Sequence, residues 1–282
     1  MSHNLIKNEV ISNYNYLVLG HRGFLGKLIQ EKLESLGKEV RTIEERLTIE
    51  NVQSLLVKNI NLNTRIFNCI ASGVTPNTGE ESTNFYTNFE LLHVQLEALK
   101  KLNFSQFLHF ASYNEGLDTT KTVISRSHYI NSKLKGSNIC RSYMEHDQRI
   151  KLMHLPTVID STQPKGRFFT DFIHASLESK QFHINSPEAE LQMITFRDLW
   201  TFYESTDHMN GLQSTLAPKD AIFTVYGFAK ELNTILIRFD LNPVEIILPE
   251  HYTLKVEMLQ EAEMPIDFLY QLEQSIKLML KL

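Results

Sequence analysis

The first half of the chain alternates short apolar runs with longer segments in which apolar residues recur every three or four positions. Runs of the first kind predict buried strands, and segments of the second kind predict amphipathic helices. The predicted strands are residues 16–19, 39–43, 65–70, 107–110 and 150–155, and the predicted helices are residues 24–36, 52–57, 83–101 and 128–146. Strands that alternate with helices in this way predict a parallel sheet covered by helices on both faces.

After about residue 156 the pattern loosens, and prolines and a glycine interrupt it as far as residue 187. Helices are still predicted over residues 168–179, 228–238 and 264–281. Because no flexible linker separates the two halves, we expect the second half to pack onto the sheet. The prediction is therefore an α/β protein: a doubly wound (Rossmann) domain over residues 1–160, and a smaller C-terminal substrate-binding lobe over 161–282 with some segments returning to the sheet.

Composition and charge remove several classes of function. The 282 residues include 28 Lys and Arg against 33 Asp and Glu, a formal net charge of −5, which argues against a nucleic-acid-binding surface. No apolar run approaches the roughly 20 residues of a membrane span, and the N-terminal segment lacks a signal-peptide block. Cys69 and Cys140 lie in apolar stretches far apart, so we expect buried, reduced thiols and a cytoplasmic protein. The HExxH and CxxC motifs are missing, so no metal is expected.

The clearest chemical signal is Gly20-His-Arg-Gly23-Phe-Leu-Gly26, which follows the first predicted strand and opens the first predicted helix. In such a turn one glycine permits the tight reversal, one lets the backbone approach a pyrophosphate, and one lets the helix pack closely on the strand. The start of a helix also presents N–H groups and a positive dipole end to phosphates. The segment, with Phe24 and Leu25, therefore predicts a dinucleotide-binding site.

Two nearby charges give opposite indications about the dinucleotide. Glu44, at the end of the second strand, can accept hydrogen bonds from a ribose diol and repel a 2′-phosphate, which favours NAD. Arg22, inside the turn, resembles the arginine of NADP-dependent GDP-fucose synthases, which implies a contact with a 2′-phosphate, and Arg41 and Arg46 are near enough in sequence to assist. Because these arginines can offset one carboxylate, we predict NADP, with NAD as the alternative.

A Tyr-x-x-x-Lys pattern places Tyr129 and Lys133 on one face of a predicted helix. An ammonium beside a phenol lowers the phenol pKa from about 10, so the phenol can give or take a proton near neutral pH. Ketone reduction needs such a group, because a proton must reach the developing alkoxide. The pattern occurs again from Tyr226 to Lys230, but only the first copy has a serine, Ser112, at the end of the preceding strand. We expect the second copy to be structural.

The GxxGFLG form of the turn, together with Ser112, Tyr129 and Lys133, resembles the extended short-chain dehydrogenase/reductase superfamily over residues 15–235. The resemblance implies that Ser112 and Tyr129 bind one substrate oxygen, that Tyr129 donates the proton, and that Lys133 also holds the nicotinamide ribose. The further positions that it implies at the cofactor are Ala71, Ser72, Asn88 and Leu155. Those that it implies at the substrate are Ser72, Ser112, Tyr113, Thr157 and Arg167.

Departures from the superfamily pattern narrow the reaction. The 4,6-dehydratases carry an Asp-Glu pair after the catalytic Thr, whereas Tyr113 and Asn114 follow Ser112 here, which argues against dehydration. Leu191 and Gln192 stand where an arginine of the superfamily grips a nucleotide phosphate, so Arg167 becomes the candidate clamp on a diphosphate.

The short spacing from Ser112 to Tyr129 is similar to that of CDP-3,6-dideoxyhexose 4-reductases of the abequose and paratose synthase type. This resemblance implies NADPH-dependent reduction of a 4-keto CDP- or dTDP-deoxysugar for O-antigen (lipopolysaccharide) synthesis. Two alternatives stay open: a nucleotide-sugar epimerase with tightly bound NAD, and a non-catalytic NAD(P)-binding sensor or scaffold. A homodimer is also expected, since dimerisation through the helices equivalent to 83–101 and 128–146 is common in the superfamily. Core packing explains the apolar residues of these helices equally well.

Overall fold

The computed structural model describes residues 15–73, 80–116, 124–209, 211–214, 222–250 and 266–281. Its strands are β1 (Asn15–Leu19), β2 (Val40–Thr42), β3 (Thr64–Asn68), β4 (Gln106–Ser112), β5 (Ile150–Leu155), β6 (Thr157–Ile159), β7 (Phe182–His183), β8 (Glu190–Thr195), β9 (Gly211–Ser214), β10 (Ile222–Thr224) and β11 (Ile246–Ile247). Its helices are α1 (Phe24–Ser35), α2 (Val52–Asn59), α3 (Glu81–Phe85), α4 (Leu91–Leu99), α5 (Ile124–Met144), α6 (Phe168–Leu177), α7 (Phe196–Thr206), α8 (Val225–Arg238) and α9 (Ile266–Leu280). A π-helical turn, Tyr86–Glu90, joins α3 to α4, and a 3-10 turn, Tyr113–Gly116, follows β4.

The central sheet is parallel throughout and has six strands in the order β2-β1-β3-β4-β5-β9. The strand order reverses direction at β1, which is the topology of a doubly wound sheet. β9 comes from the second half of the chain and pairs in parallel with β5. Because parallel strands all end at the same edge, the residues that follow β1, β3, β4 and β5 meet at one edge of the sheet.

Apolar side chains alternate along the strands and fill a core on each face of the sheet. Leu17 and Leu19 of β1 pack on the face covered by α2, α4 and α5. Tyr16 and Val18 pack on the opposite face with α1 and α7. This two-sided burial is the arrangement that the strand and helix pattern predicts, and it confirms the predicted fold class.

The second half of the chain has a core of its own. Helices α6, α8 and α9 pack around Phe172, Phe228 and Leu272, which are almost completely buried. A three-stranded sheet in the order β10-β8-β6 and a two-stranded pair, β11 with β7, cover this core. Because β6 follows directly after β5, this part of the chain stands beside the sheet edge at which the strands end.

Several boundaries differ from those predicted. Helix α5 begins at Ile124, so Tyr129 lies in its second turn and not at its start. Helix α7 was not predicted, although Thr195 and Asp198 signal its start: the Thr195 Oγ1 accepts the Asp198 N–H at 3.2 Å. Its polar residues hide the apolar stripe of Leu199, Trp200 and Tyr203 in a simple apolar count. Of the helix predicted over 264–281, residues 264 and 265 lie outside the described part of the chain.

Helices α4 and α5 carry the apolar residues that a dimer interface would share with the core. Leu91, Leu92, Leu96 and Ile130 are at most 3% exposed, so they pack inside this chain. The homodimer therefore stays a prediction. In the described part of the chain, none of the helices combines the length and the apolar character that crossing a bilayer requires.

Candidate active site

A cleft of about 450 Å³ opens at the carboxyl edge of the sheet. The start of α1, the segment after β3, the ends of β4 and β5, and the facing side of α5 form one part of its wall. The segment from β6 to the start of α6, with β8 and α8, forms the other part. Of the predicted site residues, those that line the cleft are Gly23, Phe24, Leu25, Ala71, Ser112, Tyr113, Tyr129, Lys133, Leu155, Thr157 and Arg167.

The glycine turn brings the start of α1 directly to the cleft. Gly20 has a φ of +79°, a backbone conformation that favours glycine. A Cβ on Gly26 would lie 2.3 Å from the Gly20 carbonyl oxygen, so a larger residue would push helix and strand apart. Gly20 and Gly26 therefore shape the turn, while Gly23, Phe24 and Leu25 face the cleft. The first N–H groups of α1 have no partner within the helix, which suits a phosphate.

Arg22 and Glu44 are held together at the rim of the turn. The Arg22 Nη2 donates to the Glu44 Oε2 at 2.8 Å and to its carbonyl oxygen at 2.9 Å. Hydrogen bonds from Arg22 and Thr42 lower the pKa of Glu44 below its ordinary value. Both side chains are about two-thirds exposed, so this ion pair is open to solvent and weak. Arg41 pairs with Glu39 at 2.8 Å and does not join them.

The arginines near the glycine turn each have a carboxylate partner in the structure. Arg22 pairs with Glu44, and Arg41 pairs with Glu39. Both ion pairs are exposed to solvent, and none of the four residues belongs to the cleft lining. The preference for NADP over NAD therefore stays a prediction.

Asn88 supports the cleft from behind and does not line it. Its side chain is 1% exposed; its Oδ1 accepts the Ser72 N–H at 2.9 Å, and its Nδ2 donates to the Ser72 carbonyl at 3.0 Å. The same Nδ2 donates to the Ser132 Oγ on α5 at 2.9 Å. Asn88 thus fixes the turn that presents Ala71 to the cleft, and its predicted contact with a cofactor stays a prediction. Ser72, predicted to bind both ligands, forms this bond and lies outside the cleft lining.

The predicted catalytic residues come together on the cleft wall. Ser112 ends β4, and its Oγ accepts the Asn114 N–H at 3.3 Å, which leaves its own O–H to donate. Tyr129 and Lys133 reach the same cleft from one face of α5. The Lys133 side chain is almost completely buried, and its Nζ donates to the Phe110 carbonyl at 2.7 Å. Burial lowers the pKa of Lys133 to about 8.

The part of the cleft wall that the second half of the chain contributes is mainly apolar. Leu191 and Met193 of β8, Phe168 and Phe169 of α6, and Phe228 of α8 contribute to its wall. Leu191, which stands in place of the superfamily's arginine, is therefore part of this apolar wall.

Arg167 brings a cation to this apolar part of the wall, directly before α6. Within the described residues, its buried Nε has no hydrogen-bond partner. Burial lowers the pKa of Arg167, and the neighbouring Tyr129 opposes that shift. A guanidinium that is partly buried and has unused donors suits an anionic group on a ligand.

The second Tyr-x-x-x-Lys copy lies elsewhere. Tyr226 packs against the core of the second half, and its N–H donates to the Pro187 carbonyl at 3.1 Å. Lys230 is half-buried on α8. Neither belongs to the cleft lining, as expected for a structural copy.

The two cysteines are free thiols, as predicted, but their surroundings differ. Cys140 lies on α5 and is completely buried in the core. Cys69 is half-buried and lines the cleft, because β3 ends at Asn68, earlier than predicted. Burial raises the pKa of both thiols, that of Cys140 to about 12.

The sequence reasoning missed two polar residues next to the site. Glu115 lies in the 3-10 turn after Ser112, and His154 lies on β5 beside it. The sequence shows only a glutamate three residues after the predicted catalytic serine, with no sign that it is buried. Only the fold shows that the two side chains meet.

The fold is that of a Rossmann-type α/β protein of the epimerase/dehydratase kind, with a cleft at the carboxyl edge of its sheet. Residues 16–199 match the model of the NAD dependent epimerase/dehydratase family, and the chain belongs to that family. No curated protein matched the chain.

Solved structures similar to this chain cover nearly its whole length. They include MoeE5 in complex with UDP-glucuronic acid and NAD (14% identity, 95% of this chain and 99% of that one, TM-score 0.72). A second is the Bacillus cereus UDP-glucuronic acid 4-epimerase in complex with UDP-glucuronic acid and NAD (16% identity, 95% of this chain and 99% of that one, TM-score 0.69). A third is the Bacillus anthracis dTDP-glucose 4,6-dehydratase in complex with NAD (15% identity, 95% of this chain and 97% of that one, TM-score 0.70). At these identities the likeness establishes the fold.

Proposed function

We propose that the chain catalyses hydride transfer at a carbon of a nucleotide-linked sugar. The net reaction is the reduction of a 4-keto group on a CDP- or dTDP-linked deoxysugar, and the product serves the synthesis of a surface polysaccharide. The observation that carries this proposal is the meeting of Ser112, Tyr129 and Lys133 on one cleft wall, at the sheet edge that holds the glycine turn. A non-catalytic binder has no need for a buried ammonium beside a tyrosine and a serine.

The chain's own residues supply the proton chemistry. The Ser112 O–H donates to the substrate carbonyl oxygen and holds it near Tyr129. The Tyr129 O–H gives its proton to that oxygen as negative charge develops there, and the Lys133 ammonium stabilises the phenolate that remains. Lys133 is held for this task by the Phe110 carbonyl.

The cleft fits a nicotinamide dinucleotide. Gly23 lines the cleft without a side chain that would block a diphosphate from the first N–H groups of α1. Gly23, Phe24, Leu25, Ala71 and Leu155 would hold the cofactor from the strand ends. When bound, the dinucleotide supplies or accepts the hydride. The pairing of Arg22 with Glu44 supports NAD over NADP for this chain.

Arg167 is the proposed anchor for the substrate. Its guanidinium lines a cleft whose nearby wall is mainly apolar. An anionic group of the substrate would therefore gain more binding free energy beside Arg167 than beside the apolar residues. Thr157 and Tyr113 add hydroxyl groups to the same wall. MoeE5 binds UDP-glucuronic acid in one structure and UDP-glucose in another, which supports a nucleotide sugar as the ligand class.

A nucleotide-sugar 4-epimerase is the second candidate. The Arg22–Glu44 pair favours the epimerase because it supports NAD as the dinucleotide. An epimerase works with bound NAD, which its net reaction does not consume. UDP-glucuronic acid 4-epimerase and UDP-glucose 4-epimerase are among the similar folds. The same Ser112, Tyr129 and Lys133 would serve, with Tyr129 first taking a proton from the sugar hydroxyl.

The deciding experiment follows both dinucleotide and sugar. The purified chain is assayed for co-purified NAD, then for loss of NADH or NADPH absorbance with CDP- and dTDP-4-keto-6-deoxy sugars. It is also assayed for conversion of UDP-glucose and UDP-glucuronic acid to their 4-epimers without added cofactor. Consumption of NADH establishes the reductase, and epimer formation with bound NAD establishes the epimerase. A chain that binds the dinucleotide and does neither contradicts both candidates.

The cytoplasmic homodimer also remains a proposal. It rests on the reduced thiols and on the resemblance to the superfamily. Light scattering of the purified chain measures its oligomeric state directly.

A further inference from the structure

A buried carboxylate lies directly behind Ser112. The Glu115 side chain is 4% exposed, and its Oε1 accepts the backbone N–H of Ser112 at 2.9 Å. The Glu115 Oε2 lies 3.3 Å from the Nε2 of His154 on β5. These contacts direct Glu115 toward β5, and the cleft lining does not include it. It therefore has no access to a substrate, and any effect it has on the reaction passes through its neighbours.

A chain of polar groups runs from Glu115 to the helix that carries Tyr129 and Lys133. The His154 Nε2 lies 3.1 Å from the Arg141 Nη2 on α5. The Arg141 Nη1 in turn donates to the Asn138 Oδ1 at 2.7 Å. The His154 Nε2 donates to Glu115 when it carries the ring proton and accepts from Arg141 when it does not, so β5 is joined either to the turn after β4 or to α5 through this nitrogen.

Glu115 is ionised in this setting. Burial works to raise the pKa of Glu115, but hydrogen bonds from His154 and from the Ser112 N–H lower it below the ordinary value. Lys133 adds an attractive charge that acts in the same direction. A buried carboxylate therefore persists at neutral pH beside the strand end that carries Ser112.

The other titratable groups that face Lys133 are uncharged near neutral pH. Burial raises the pKa of the Cys69 and Cys140 thiols, so both stay protonated. Burial, with the repulsion of Lys133 and His154, lowers the pKa of His109 well below its ordinary value. Among the described residues, Glu115 is thus the anion that balances the Lys133 ammonium.

We propose that Glu115 is a positioning residue for the candidate reaction: its carboxylate fixes the backbone of Ser112 and holds Lys133 in the ammonium form. This inference rests on the proposed function, since it assigns Glu115 to the same site. Two consequences are separable. Removing the charge alone affects Lys133, whereas shortening the side chain affects the anchor on Ser112.

The charge of Glu115 acts against the burial of Lys133. Burial already lowers the pKa of Lys133 to about 8, and Glu115 is the largest opposing influence. Without that charge Lys133 loses its proton at a lower pH. Since an ammonium donates stronger hydrogen bonds than an amine, the affinity for a dinucleotide that Lys133 helps to hold should fall at that pH.

The test measures NADH affinity by fluorescence between pH 6 and pH 10 for the full chain. As the pH rises, we expect the affinity of the wild-type chain for NADH to fall in one step. Lys133→Met should abolish this step. In Glu115→Gln, which keeps an oxygen acceptor for the Ser112 N–H, the step should move to lower pH by about one unit, as loss of a nearby opposite charge does. Glu115→Asp keeps the charge and should leave the step in place while lowering turnover.

The matched control is Glu97→Gln, the same change at a half-exposed carboxylate on α4 that pairs with Lys100 at 2.7 Å. It should leave the step where it is. An unchanged step in folded Glu115→Gln overturns the role of Glu115 and leaves the proposed function intact. A wild-type chain that binds neither NADH nor NADPH overturns both. If only Glu115→Asp folds, a step displaced by a full unit in that variant contradicts the charge argument.

Discussion

The two Tyr-x-x-x-Lys segments have the same spacing and lie within the first turns of their helices, but their surroundings differ. Lys133 is 2% exposed, among the strand ends and beside Ser112, and it holds a proton that burial disfavours. Lys230 is half-buried on α8, and Tyr226 packs against an apolar core. Spacing thus decides only that two side chains share a helical face. What that face meets decides whether the pair can do chemistry.

The helix environments explain the difference. Helix α5 covers one face of the sheet, and the Phe110 carbonyl, two residues before the end of β4, accepts from the Lys133 Nζ. Helix α8 follows the short strand β10, and the Thr224 Oγ1 caps it by accepting the Gly227 N–H at 2.9 Å. The first pair therefore faces the cleft, while the second faces side chains of its own lobe.

The largest expected difference is in turnover. Tyr129→Phe removes the phenol that gives the proton and should lower kcat by about 100-fold to 10,000-fold, the range for loss of a general acid. Tyr226→Phe removes a hydroxyl outside the cleft and should leave kcat unchanged. Steady-state kinetics of both variants with the substrate found above measures this. Equal losses in the two variants would contradict the distinction between the copies.

Glycines near the two copies should differ next in their effect on stability. A Cβ on Gly136 of α5 would lie 2.2 Å from the Asn88 carbonyl oxygen, so Gly136→Ala should cost about 3 kcal/mol and loosen the Ser72 turn. A Cβ on Gly227 would lie 3.0 Å from the Thr224 hydroxyl, a side-chain atom. Gly227→Ala should be near neutral, since alanine also favours the helix. Urea unfolding compares them, and a Gly136→Ala protein as stable as wild type would refute the close approach.

The buried Lys133 ammonium should lower the free energy of unfolding although turnover requires it, whereas Lys230 should have neither effect. Its pKa of about 8 lies below the unfolded value, so the unfolded chain binds more protons between about pH 8 and 10.5, and wild-type stability should rise over that range. Lys133→Met should therefore raise the free energy of unfolding by about 2 kcal/mol at pH 7 while abolishing turnover. The gain should shrink by pH 10.

The matched change, Lys230→Met, should alter stability by less than about 0.5 kcal/mol at either pH. Urea unfolding at pH 7 and pH 10 measures both variants. A Lys133→Met protein less stable than wild type at pH 7 would show that the ammonium contributes more in bonds than its burial costs.

The smallest expected effect on stability concerns the residue directly before the lysine of each copy. Ser132 accepts from the Asn88 Nδ2 at 2.9 Å and donates to the Tyr129 carbonyl at 2.8 Å, whereas the second copy has Ala229 at the equivalent position. Ser132→Ala should cost about 1 kcal/mol through the lost buried hydrogen bonds. Ser142→Ala, at a site farther along α5 that is exposed, should cost less. Thermal unfolding of the two variants would detect the difference or exclude it.

The parts of the molecule that could be predicted depend on local sequence. The glycine turn, the alternating strands and the i, i+4 pair are each written in a few neighbouring residues, and the structure brings Ser112, Tyr129 and Lys133 to one cleft. Helix α7 was missed even though its cap at Thr195 and Asp198 is local, because its apolar stripe is interrupted by polar residues.

The remaining features depend on contacts between distant segments. Arg22 and Glu44 lie on different elements, and no rule of spacing says whether they oppose or neutralise each other. Glu115 meets His154 only because β4 and β5 pair in register, with Ala111 opposite His154. Asn88 reaches Ser72 through a π-helical turn that propensities do not anticipate. In each case tertiary packing, and not the local pattern, decides the partner.

The two thiols beside the Lys133 ammonium give the cleft an unusual chemical resistance. A cation next to a cysteine commonly yields a reactive thiolate. Here desolvation outweighs that charge, and the pKa of Cys69 and of Cys140 is raised. Peroxides and alkylating agents attack the thiolate, so the sulfur at the cleft wall should resist both. The chain should therefore keep its cleft intact under oxidising conditions that would inactivate an enzyme with an ordinary exposed cysteine at the same place.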